Sequence, residues 1–165
     1  MNPDETRMEP FTTYLRVRRY EMDVHGHVNN AVYQHYLEQA AIEHSESLGF
    51  TAALYEKLGG TFVMRRITID YLRPAFAGDT LALTTWLQEM RGSRALRRYE
   101  IRRSSDSEQE SDLIVTAEAL WVWVDIQTMR PKAIPDQILE TYGLLTSQNQ
   151  GRKSQQIKQQ IKEVN

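Results

Sequence analysis

A chain of 165 residues and 19.2 kDa holds one domain with a sizeable core. Its formal net charge of −2 and pI near 6.1 exclude a global polycation that coats nucleic acid, and the absence of cysteine excludes a disulfide scaffold, a cysteine nucleophile and a thiolate metal site. No apolar run approaches the ~18 residues of a membrane span, and the opening MNPDETRMEP lacks a signal peptide's basic and apolar regions, so the expectation is a cytoplasmic protein with no membrane partner.

In chain order, residues 1–11 read as a flexible polar leader with two prolines. The alternation in TYLRVRRY predicts a short strand over 13–20, followed by a loop rich in Asp, Gly, His and Asn over 21–29. Asn29 and Asn30 offer a cap for a helix running to Leu48, with Gly49 as its stop. At ~100° per residue, Tyr33, Tyr36, Leu37, Ala40, His44 and Leu48 share one face, while Glu38, Gln39, Ile42 and Glu46 lie opposite. A short helical piece over 52–57 precedes four strand-like stretches, 61–73, 80–90, 94–103 and 112–127. RPAFAGDT and SSDSEQES read as hairpin links, and ALWVWV, apolar on both faces, reads as a central, doubly covered strand segment. From residue 147 the Gln- and Lys-rich tail has almost nothing to bury. The folded unit is thus 12–146, with 147–165 as a polar tail. The class is α+β, a meander-like antiparallel sheet of about five strands with one long helix packed on it.

All four histidines fall between His25 and His44, which raises the question of a metal. Nine helical residues separate His35 from His44, ~900° of rotation, so these two point to opposite faces. His25 and His27 have only Asp23 nearby, and no metal site is expected. Asp23 is the stronger candidate, a loop carboxylate seven residues before Asn30, where a helix begins and unpaired N–H groups project. Backbone donors that polarise a carbonyl, beside a carboxylate that attacks it or activates water, suit acyl chemistry. The same spacing also fits a simple Asx turn over 23–26.

The run Asp23-Val-His-Gly-His-Val-Asn-Asn-Ala-Val-Tyr33 resembles the signature loop of the 4-hydroxybenzoyl-CoA thioesterase-like branch of the hotdog-fold superfamily and of the related plant acyl-ACP thioesterases. Ile69-Asp-Tyr-Leu-Arg-Pro-Ala-Phe-Ala-Gly-Asp79 is similar to the family's strand-turn segment, and Arg130-Pro-Lys-Ala-Ile-Pro135 is a weaker match. The resemblance covers about residues 14–144 and implies a hotdog fold, a sheet wrapped around the long helix. It implies an acyl thioesterase that hydrolyses an acyl-CoA or acyl-ACP thioester to acid and thiol, with no metal or redox cofactor. The family's catalytic aspartate falls on Asp23, as nucleophile or general base, and its carbonyl-polarising helix start on Asn30 and its neighbours. His27 would orient the thioester, protonate the thiolate or only order the loop. Asn29 reads as loop scaffolding within the substrate-binding set, because a carboxamide is no useful proton donor. Tyr33, Tyr36 and Phe62 are candidate acyl-pocket walls, against an ordinary core role for each. Glu38, where a sister branch uses a helical glutamate, reads as a solvated or subunit-facing residue on helical phase.

Six arginines lie between Arg91 and Arg103, and alternation divides those of the strand between its faces. Arg94 and Arg97 are candidate ligands for coenzyme A phosphates or an acidic carrier-protein surface, against a charged edge strand that discourages aggregation. One helix and about five strands cannot enclose an acylated pantetheine, so a homodimer or homotetramer with a shared site is expected. The rival readings are an acyl-CoA or acyl-carrier binding protein without catalysis, and an acyl-thioester hydratase or dehydratase.

Overall fold

A computed structural model of the chain describes residues 9–104 and 112–143. The tail expected over 147–165, most of the leader, the SSDSEQES link after Ser104 and positions 144–146 of the expected folded unit lie outside the described residues. Strand β1 (Phe11–Arg16) leads through a single 3-10 turn (Arg19–Glu21) into helix α1 (Asn30–Ser47). Helix α2 (Ala52–Leu58), strands β2 (Gly60–Tyr71), β3 (Thr80–Arg91), β4 (Arg94–Arg103) and β5 (Leu113–Asp125), and helix α3 (Asp136–Thr141) follow. The first strand is shorter than TYLRVRRY suggested and starts at Phe11, one residue before the expected edge of the domain. It stops at Arg16 because β3 is paired only as far as Thr80, opposite that residue.

The five strands form one antiparallel sheet in the order β1-β3-β4-β5-β2. Strands β3, β4 and β5 are a meander, but β2 pairs with β5 at the far edge. RPAFAGDT is therefore no hairpin. It is a crossover that carries the chain from the β2 edge past the ends of β5 and β4. Along this route Leu72 and Arg73 donate to the Ile114 carbonyl at 2.9 and 3.2 Å, and the Arg103 guanidinium donates to the Pro74 carbonyl at 2.7 Å. ALWVWV lies on β5, inside the sheet though next to its last strand. Val122, Trp123 and Val124 are buried, whereas Leu120 and Trp121 are half-buried.

Helix α1 lays Tyr33, Tyr36, Leu37, Ala40, Ala41 and His44 on the inner face of the sheet, as its helical phase requires. They meet Leu81 and Leu83 of β3, Tyr99 and Ile101 of β4, and Val115, Ala117 and Ala119 of β5. A second apolar cluster, around Trp123 with Phe50, Ile134, Ile138 and Tyr142, fills the end of the sheet beneath α2 and α3. Gly49, at φ 86°, takes the left-handed conformation that ends α1. Among the described residues no helix is long and apolar enough to cross a membrane.

Candidate active site

The loop before α1 is tied down at both ends. Asp23 donates its N–H to the His27 carbonyl at 2.7 Å, and Gly26, at φ 75°, turns back to donate to the Asp23 carbonyl at 3.1 Å. The carboxylate Oδ1 of Asp23 accepts from the N–H groups of His25 (2.9 Å) and His27 (3.2 Å). The Asx turn and a placed carboxylate are therefore the same structure: Oδ1 holds the turn, and Oδ2 has no hydrogen-bond partner among the described residues. Burial acts to raise the Asp23 pKa, but the His27 and His25 N–H groups and the nearby imidazoles outweigh it, so the pKa lies below the ordinary value and the group is ionised.

The crossover supports this loop from outside. Val28 donates to the Ala75 carbonyl at 2.9 Å, and the His27 ring meets the Phe76 ring edge-on at 5.4 Å. Asn29 is the N-cap of α1, its side-chain oxygen accepting from Ala31 at 3.0 Å and its carbonyl from Val32 at 2.9 Å. Those bonds occupy two of the helix's first N–H groups. The Asn30 N–H has no backbone acceptor among the described residues. It is the open donor at the positive end of an 18-residue helix.

Asp23, His27, Asn30 and Tyr33 line one pocket of about 200 Å³ together with Tyr71 and Arg73. The last two were assigned no role from sequence, although both stand in the second family-like motif. Tyr71 donates its hydroxyl to the Asn30 carbonyl at 3.0 Å and so braces the helix start. Arg73 is ion-paired with Asp112 and remains largely exposed at the pocket. Their contribution depends on the end of β2 reaching the start of α1, which local sequence does not encode.

The other candidate residues lie elsewhere. Tyr36 is buried beside a different cleft and donates its hydroxyl to Glu21 Oε2 at 2.7 Å, an engagement that removes it from the Asp23 pocket. Glu21 is itself buried and accepts from the Arg18 N–H at 2.7 Å, and its carbonyl takes the Asn29 N–H at 2.9 Å. It is a positioning residue for the loop that sequence reading passed over, with Arg18 three residues before it as the available signal. Phe62 packs edge-on against Trp123 at 5.0 Å in a separate cavity. Arg94 is exposed at the start of β4.

Arg97 reads from sequence as a ligand for coenzyme A phosphates or an acidic carrier-protein surface, or as part of a charged edge strand, yet it is only 5% exposed and β4 lies inside the sheet. It shares the inward phase of Ala95, Tyr99 and Ile101 on β4. Its Nη1 donates to His44 Nδ1 at 2.9 Å and Thr85 Oγ1 at 3.2 Å. Because arginine has no acceptor, His44 must offer a lone pair at Nδ1 and is neutral. Burial, then the Arg97 charge, depresses the His44 pKa from 6.5 to about 4. Folding therefore favours the neutral ring, and stability present above pH 6.5 falls as the pH drops toward 4, by on the order of 3 kcal/mol. Urea unfolding at neutral pH and at pH 5 should show about 2 kcal/mol of that loss in the wild type, the part accrued between pH 6.5 and 5, and a much smaller one in His44→Gln.

Comparison with known proteins sets this geometry in a family. The model of the thioesterase-like superfamily matches residues 17–141. The chain belongs to that family. It is 31% identical over 131 residues to the long-chain acyl-CoA thioesterase FadM of Escherichia coli, covering 78% of this chain and 93% of that one. It is 28% identical over 129 residues to the chloroplastic acyl-acyl carrier protein thioesterase ATL2 of Arabidopsis thaliana, covering 78% of this chain and 66% of that one. The solved 4-hydroxybenzoyl-CoA thioesterase of a Pseudomonas species superposes with a TM-score of 0.72 at 18% identity over 80% of this chain and 98% of that one, a likeness of fold. The architecture is the hotdog fold, with α1 held against the antiparallel sheet.

Proposed function

We propose that this protein is a cytoplasmic acyl thioesterase, hydrolysing an acyl-CoA or acyl-carrier-protein thioester to a free acid and a thiol. The observation that carries the reading is the pocket where an ionised Asp23, with one unpartnered oxygen, stands beside the open N–H of Asn30. The helix start accepts the developing negative charge on the thioester carbonyl oxygen. Asp23 either takes a proton from the water that attacks the carbonyl carbon, or attacks it itself to form a mixed anhydride that a water molecule then hydrolyses; in both routes a new C–O bond replaces the C–S bond, and the proton from that water ends on the departing thiolate. His27 and Tyr33 shape the wall around the reacting group. The relatives FadM and ATL2, named for acyl-CoA and acyl-carrier-protein substrates, support both thioester classes.

The reading includes a two-fold dimer. Strand β2 is a 12-residue edge whose outer side is unpaired among the described residues, the kind of edge that a second copy covers. A two-fold axis through that edge runs the two β2 strands antiparallel. The Tyr71 end of one, which lines the Asp23 pocket, then adjoins the Gly60 end of the other. A dimer of such dimers is equally compatible with the edge.

Thiol release from a panel of acyl-CoA thioesters, with mass analysis of the acyl product, tests the activity. Free acid and free thiol in equal amounts are expected. An intact thioester altered by one water, or tight binding without thiol release, would replace hydrolysis with hydration or with carriage.

A further inference from the structure

At the other end of the inner sheet face lies a cavity of about 310 Å³, between α1, α2 and strands β2, β3, β4 and β5. That volume lies within the ordinary range for small-molecule sites. Phe50, Phe62, Leu87 and Trp121 give it apolar walls, and Arg97 stands in its lining as a buried cation. No carboxylate lies within ion-pair distance of Arg97 among the described residues, and its two side-chain partners, His44 and Thr85, are neutral. A buried charge without a counter-charge is costly, and one positioned for packing alone would be better replaced by an apolar side chain. Ser45 and Tyr142, whose hydroxyls lie 3.2 Å apart, add polar groups to the same wall. Glu38 and Glu46, which also line the cavity, belong to exposed positions of α1, where water screens them.

In the dimer proposed above, the antiparallel β2 strands bring Thr61 and Phe62, which line this cavity, beside the partner's thioester pocket. We propose that the cavity receives the far end of the acyl group, and that Arg97 is a specificity-determining residue that selects acyl chains carrying an oxygen acceptor there, a carboxylate above all. A guanidinium supplies only donors, so it rewards an acceptor oxygen and leaves a terminal methyl facing an unpaired charge. This inference rests on the thioesterase reading for the route by which the chain enters, and it names the class of acyl group.

The test compares acyl-CoA thioesters of equal chain length ending in methyl, hydroxyl or carboxylate, and measures kcat/KM with the full chain. Binding of the matching non-hydrolysable S-alkyl-CoA thioethers is measured in parallel. Wild type should favour an oxygen-terminated chain by about tenfold or more, the scale of one charge-assisted hydrogen bond. Arg97→Met should bring the ratio close to unity, and Arg97→Lys, which keeps the charge and guards against a misfolded variant, should leave an intermediate ratio. A wild-type ratio near unity, or one that Arg97→Met leaves unchanged, overturns the assignment. Absence of hydrolysis for every thioester would remove the thioesterase reading, while the thioether ratio would still decide the role of Arg97.

Discussion

Asp23→Asn should lower kcat by about 100- to 10,000-fold while leaving the fold intact, the range expected when a positioned carboxylate is removed from proton transfer or nucleophilic attack. The substitution suits the site because the carboxamide oxygen can still accept from the His25 and His27 N–H groups, so the turn over 23–26 survives. What disappears is the anionic oxygen that the turn leaves unpartnered. Circular dichroism and thermal melting should match the wild type within about 1 kcal/mol, a scale set by substitutions that preserve local hydrogen bonds. The wild-type pH profile supplies a second readout. Because the Asp23 pKa is depressed, the acid-side fall in kcat/KM should set in at a lower pH than an ordinary aspartate would give. A folded Asp23→Asn protein with wild-type turnover would remove the carboxylate from the mechanism.

The path from sequence to site was legible wherever the controlling interactions are local. The phase of α1 placed Tyr33, Tyr36, Leu37, Ala40 and His44 on its buried face, and each is buried. Asp23 and Asn30 line one pocket because only the six residues of turn and cap from Val24 to Asn29 connect them, and the turn residues needed for that are written in the same stretch. Two features were not local. Pro74, Gly78 and Asp79 are the composition of a hairpin and of a crossover alike, and only the pairing of β2 with β5, some 45 residues further on in the ladder between Tyr71 and Val115, separates the two. Arg97 shows a different limit. The alternation Ala95, Arg97, Tyr99, Ile101 already put the guanidinium on the core side, but a run of six arginines invites a surface reading, and its buried place depends on His44 and Thr85 from other elements. Tyr71 and Arg73, at the end of β2, carry no local signal for the site, because only the reach of that strand to the start of α1 brings them to it.

Gly60→Ala should destabilise the protein although glycine to alanine commonly stabilises a strand-compatible position. A Cβ at residue 60 would lie 2.5 Å from Cε2 and Cζ2 of Trp123 and 2.8 Å from its Nε1. That indole is wholly buried, so it has nowhere cheap to move, and overpacking of this kind costs about 1–3 kcal/mol. For a chain of this size the loss corresponds to a fall in Tm of roughly 2–12 °C. The effect reaches the cavity that holds Arg97, since Trp123 contacts Phe62 and Tyr55, which line it. Trp123→Phe offers the rescue. The indole Nε1 is buried with no hydrogen-bond partner among the described residues, so replacing it removes an unsatisfied donor along with the atoms that crowd residue 60. Melting of the two single variants and the double variant should therefore give a non-additive cycle, with Gly60→Ala costing less in the Trp123→Phe background. Additive losses would mean that the strain lies in the backbone at the start of β2 rather than in the close approach of the ring.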